Sequence, residues 1–190
     1  MAALLVAAVA ATVPLLVVLV PLLALPFAVL MRLAVESARD ASPQRGILRA
    51  EVGRLALRKV GLAAVQVAVL AIGALNVYLA PAIGGFAGLL TGIVAAYAVT
   101  ACSVYAVALW PIVCDPQREG PLGRQLRLAM AVTLLRPLQL VVLTILVVLA
   151  GIVSAQLIAP ALFLPSLVLL VTAAYVVDTA DRLRPVDEAR

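Results

Sequence analysis

From Val60 to Cys114 the chain carries no Asp, Glu, Lys or Arg, and it carries none again from Pro137 to Val177 or anywhere before Arg32. Runs this apolar are at home in lipid, where backbone N–H and C=O groups have no water to bond. A spanning segment must then satisfy those groups within itself, which selects the α-helix. One crossing takes about 20 residues, so the first run holds one span and each later run holds two. The reading is an all-α membrane protein, a bundle of about five transmembrane helices with two cytoplasmic amphipathic helices. The spans are expected at about 4–31, 60–80, 84–112, 138–156 and 161–177, within a single transmembrane helical domain covering residues 1–190.

Turn chemistry divides the two long runs. Asn76, Tyr78, Pro81 and the pair Gly84-Gly85 break the first, and Ser154, Gln156 and Pro160 break the second. Pro14, Pro21 and Pro26 kink the first span. The polar tail from Asp178 is expected to fray. Composition agrees with a lipid solvent: 66% of residues are hydrophobic and 12% charged, whereas a soluble domain is nearer half and a quarter.

The charges fall in three blocks. Of the 14 basic residues, Arg32, Arg39, Arg45, Arg49, Arg54, Arg58 and Lys59 lie between spans one and two. Arg118, Arg124, Arg127 and Arg136 lie between spans three and four, and Arg182, Arg184 and Arg190 lie in the tail. All nine acidic residues share these blocks. Five alternating crossings put the three blocks on one side, and basic flanks stay in the cytoplasm. Arg32, Arg45, Arg49, Arg54, Arg58, Lys59, Arg124, Arg127 and Arg136 are therefore read as setting the orientation. The N-terminus is expected outside and the C-terminus in the cytoplasm, in a plasma-membrane protein. An apolar start without a basic leader points to a retained first span rather than a cleaved signal.

Two stretches inside the blocks carry helical periodicity. In ILRAEVGRLALRK, from Ile47, Leu48, Val52 and Leu55 recur among charged residues. In the second block Leu122, Leu126, Met130 and Leu134 stand four apart beside Arg124 and Arg127. Both are read as helices lying on the headgroups or offering a docking surface to a partner.

Several functions are excluded or disfavoured. The chain has no His, so a Ser-His nucleophile and a Cys/His metal site are out of reach. No carboxylate falls within an expected span, which removes paired-aspartate chemistry and the usual proton relay. No glycine-rich nucleotide loop is present. An enzyme is not expected, and neither is a cofactor or a metal. Cys102 and Cys114 on one helix are about 18 Å apart along its axis and cannot pair. The net charge of +5 comes with one Trp and three Phe, without the interleaved aromatics of a nucleic-acid surface, and nucleic acid is not expected as a partner.

Gly84, Gly88 and Gly92 form a stripe that lets another helix approach closely, either within the chain or in a homo-oligomer. Gln66, Asn76, Tyr97, Thr100 and Ser103 are the polar residues of spans two and three that line a ligand pocket, if the chain has one. The bland alternative is interhelical hydrogen bonding.

The order of parts resembles the YesL family, bacterial membrane proteins that carry a domain of unknown function. The resemblance rests on PLLALPFAVLMRL and on ALWPIVCDPQREGPLGRQLRLAMAVTLLRPLQLVVLTIL. In the second stretch a span ends in a proline, a basic amphipathic helix follows and an Arg-Pro opens the next span. The polar N-terminal segment common in the family is missing. The resemblance implies a context beside carbohydrate uptake, without a catalytic role. The expected function is an accessory component that binds a cytoplasmic or membrane partner of a sugar-uptake system. The alternative is a small passive facilitator of a neutral solute.

Overall fold

The computed structural model describes residues 26–39, 56–118, 120–156 and 158–187. Among the described residues regular structure is entirely helical. Helix α1 covers residues 26–38. It is followed by α2 (Ala56–Ile83), α3 (Gly85–Cys114), a 3-10 turn (Pro116–Arg118), α4 (Leu122–Leu135), α5 (Pro137–Gln156) and α6 (Ile158–Asp187). Two helices, α2 and α3, are long and apolar enough to cross a membrane, and a third such span results if the bent pair α4–α5 is counted as one. Helices α5 and α6 occupy the stretches where spans four and five are expected. Most of span one and the amphipathic stretch from Ile47 lie outside the described residues, as do Arg45, Arg49 and Arg54.

Helices α2 and α3 form an antiparallel hairpin closed by two glycines. Gly84 and Gly85 have φ of 69° and 56°, left-handed values that a side chain would resist. The turn makes close packing possible behind it. A methyl on Gly88 would overlap the Ala80 carbonyl oxygen, and one on Gly92 would sit 3.0 Å from the Ala80 methyl. Two members of the glycine stripe thus let α3 lie against α2. The third, Gly84, meets nothing within 4 Å and serves the turn instead.

At its far end α3 stops because Pro116 disfavours a helical conformation for the residue before it, and Asp115 is extended (φ −76°, ψ 114°). A second proline acts the same way at Arg136-Pro137. There the chain turns by 102° between α4 and α5, with Arg136 at φ −137°. Two bonds carry the backbone across this corner: the Arg136 N–H donates to Val132 O at 3.3 Å, and the Leu140 N–H to Arg136 O at 3.2 Å.

Burial is uneven along the hairpin. Its glycine end exposes Phe86, Leu89, Ile93 and Tyr97, whereas every residue from Ala108 to Asp115 is buried. One apolar cluster packs Ala108, Leu109 and Ile112 of α3 against Ala129 and Val132 of α4, Leu140 of α5 and Val176 of α6. A second packs Met31 and Val35 of α1 against Ala63, Trp110 and Val177. In it Phe27 and Trp110 meet edge to face, with ring centroids 5.2 Å apart, an arrangement worth about 0.5–1.5 kcal/mol beyond burial.

One sequence expectation changes here. The tail does not fray at Asp178, because α6 stays helical to Asp187 with Thr179 and Ala180 buried. Helix α5 ends at Gln156 and α6 begins at Ile158, which leaves Pro160 in the first turn of α6, where proline is tolerated. In α4 the face that packs inward is Gln125, Ala129 and Val132, while Met130 and Leu134 of the leucine stripe are exposed.

Candidate functional site

The buried end of α3 opens onto a junction of charged side chains. Asp115 ends the helix with its carboxylate fully buried. Its Oδ2 accepts from Arg39 Nη2 at 2.6 Å and forms an ion pair with Arg118, whose Nε lies 3.2 Å away. Its Oδ1 accepts from the Gln117 backbone N–H at 3.0 Å, fixing the first residues after the helix in a turn. Arg39 also donates to Gln117 Oε1 at 2.8 Å and to Asp181 at 3.2 Å. Arg118 closes the ring by pairing with Asp181.

The four members come from all three charged blocks. Arg39 follows α1, Asp115 and Arg118 flank the end of α3, and Asp181 lies on α6, so separations reach 142 residues. Two guanidinium groups face two carboxylates, and the ring is formally neutral. Burial opposes the Arg39 charge, but hydrogen bonds and attraction to Asp115 and Asp181 outweigh it, and the guanidinium holds its proton more tightly than a free arginine.

Further bonds reinforce the junction. Arg32 pairs with Glu36 at 3.1 Å on α1, both side chains being buried. Arg58, at the start of α2, donates to Gly120 O at 3.3 Å. Gln125 Nε2 donates to Arg118 O at 2.9 Å, and Tyr105 OH to Leu126 O at 3.0 Å, both holding α4 to the end of α3. Lys59 is 2% exposed. Of the residues expected to set orientation, Arg32 and Lys59 are therefore buried, whereas Arg58, Arg124, Arg127 and Arg136 are exposed.

The five pocket candidates do not share one environment. Asn76, Thr100 and Ser103 each bond a carbonyl of their own helix one turn back, at 2.8, 2.9 and 2.8 Å. Tyr97 is 78% exposed. Only Gln66 reaches another helix, accepting from Trp110 Nε1 at 2.8 Å, and its Nε2 is buried without a partner. Neither Cys102 nor Cys114 is in a disulfide.

The junction's chemistry is that of a fastener. Its acids are acceptors engaged by arginine, and arginine does not give up its proton at physiological pH. Comparison with protein-family models, with curated proteins and with solved structures found no match to this chain.

Proposed function

We propose that the chain is a multi-pass protein of the plasma membrane with about five crossings, its N-terminus outside and its C-terminus in the cytoplasm. In this reading it is an accessory component associated with carbohydrate uptake, of the YesL type, that offers its charged end to a cytoplasmic or membrane partner. The observation that carries it is the junction, where residues from three charged blocks meet at one end of the bundle, opposite a Gly84-Gly85 turn without charge. An odd number of crossings with the charged segments on one side accounts for that arrangement.

The passive-facilitator reading has less support. Asn76, Thr91, Thr100, Ser103 and Thr144 turn their hydrogen bonds back onto their own helices. Side chains occupied in this way offer a solute few stepping stones.

Topology is tested by labelling a chain whose two cysteines have been replaced. A cysteine at Ala82, beside the glycine turn, should react with an impermeant thiol reagent added outside intact cells. Cysteines at Gln117 and Arg182 should react only after permeabilisation. The inverse pattern would refute the orientation.

Function is tested in proteoliposomes. The purified chain alone should not concentrate sugar under a proton gradient or with ATP. A charge at bilayer depth costs about 3 kcal/mol or more and is retained where it does work, and the runs from Val60 to Cys114 and from Pro137 to Val177 contain none. Uptake that collapses with a protonophore would overturn the accessory reading.

A further inference from the structure

Helix α4 presents an outward face that the junction does not use. Its sequence, Leu122–Leu135, holds two arginines and no acidic residue, and no Asp or Glu occurs between Glu119 and Asp178. Arg124 and Arg127 are exposed in the first half of the helix, and Met130, Leu134 and Leu135 in the second. The opposite face is fixed: Gln125, Ala129 and Val132 are buried, and Gln125 and the Leu126 carbonyl are bonded to the end of α3. The helix cannot roll to hide its leucines or its arginines without breaking those bonds.

Direction matters as much as face. The 102° corner turns α4 away from the line of α5. With α5 as a crossing helix, that bend lays α4 close to the membrane plane, where an interfacial helix sinks its apolar face roughly 5–10 Å below the headgroups. The arginines share the outward face with Met130, Leu134 and Leu135, and their long stems let the charged ends reach the phosphates while the apolar side chains point into the acyl boundary. Arg58, held to the Gly120 carbonyl at 3.3 Å, adds a third positive group where α4 begins. Asp115 and Asp181, the acids of the junction, are engaged by Arg39 and Arg118.

We propose that α4 is a binding surface for anionic phospholipid, with Arg124 and Arg127 at the lipid phosphates and Met130, Leu134 and Leu135 among the upper acyl chains. The inference rests on the membrane reading above. It adds a lipid class and names the residues that select it. Each arginine near an anionic surface contributes roughly fivefold in affinity, so the two together contribute about 25-fold.

The full chain in mild detergent is titrated with phosphatidylglycerol or phosphatidylcholine, and lipid adducts are read by native mass spectrometry. Phosphatidylglycerol should bind the more tightly, and added salt should weaken it. Arg124→Gln with Arg127→Gln should lower phosphatidylglycerol affinity about 25-fold and leave phosphatidylcholine unchanged. Arg124→Lys with Arg127→Lys should retain the preference, as should Arg182→Gln at an exposed arginine elsewhere. If the glutamine variant loses helicity, the lysine variant decides, and loss of its preference overturns the proposal. An undiminished preference in a folded glutamine variant also overturns it. So does displacement of the lipid by an equal concentration of inorganic phosphate, which would reduce the site to one for the free anion. Equal uptake of both lipids by the natural chain sinks this inference alone. Failure to take up either lipid or to float with phosphatidylcholine vesicles sinks the membrane reading beneath it.

Discussion

Replacing Asp115 by alanine should destabilise the folded chain by about 3–5 kcal/mol, because a buried ion pair that loses one partner leaves the other charge uncompensated. The Arg39 and Arg118 side chains are each only 14% exposed, and both pair with the lost carboxylate. Asp181, 41% exposed, still holds them, which places the effect toward the lower end of that range. Thermal unfolding in detergent measures it. A comparison with Asp178→Ala isolates burial, since Asp178 pairs with Arg182 at 2.9 Å with both side chains more than half exposed, and such pairs contribute about 0–1 kcal/mol. A double-mutant cycle completes the test: Arg39→Ala should cost far less in the Asp115→Ala background than alone. Strictly additive losses would mean that the ring does not act as a unit.

The second large effect belongs to Gly88. Leucine there drives four carbon atoms into the Ala80 carbonyl, which is backbone and cannot swing aside. Overpacking of this kind costs about 1–3 kcal/mol, and parting α2 from α3 adds lost contacts. Ala87→Leu, at an exposed position one residue around the helix, should be close to neutral. Gly61→Ala is the opposite control: a methyl there meets nothing within 4 Å, and alanine favours the helix by about 1 kcal/mol over glycine. If Gly88→Leu and Ala87→Leu melt together, the packing of α3 on α2 is not what the glycine stripe serves.

Features that depend on residues close in sequence were the readable ones. The ends of α2 and α3 lie within a few residues of the expected spans, because an uncharged run and a Gly-Gly pair mark them. The corner at Arg136-Pro137 was legible for the same reason. The junction was not. Asp115-Pro116 reads as turn punctuation, and nothing local to Arg39 or Asp181 says that they meet across the fold. An acidic residue placed directly at the end of a long uncharged helix was the one available signal, since such a carboxylate must find a cation as the helix packs. The inward face of α4 was not legible either, because its small residues, such as Ala129, carry no periodic signal beside the leucine stripe.

The two-glycine turn and the ring at Asp115 also set an order of assembly during synthesis. Helices α2 and α3 are joined by Gly84 and Gly85, and the stretch from Val60 to Cys114 is neutral throughout. The pair can therefore enter a bilayer as one folded hairpin as soon as both arms have left the ribosome, carrying no ion across. The ring follows a later clock. Asp181 lies 63 residues beyond Arg118, so Arg39, Asp115 and Arg118 wait as an incomplete set with an excess of positive charge until α6 is made. A nascent chain interrupted after α5 would keep its hairpin but lack the acid that completes the ring. A quality-control protease that recognises unpaired charge at this end of the bundle would have a means of telling the two apart.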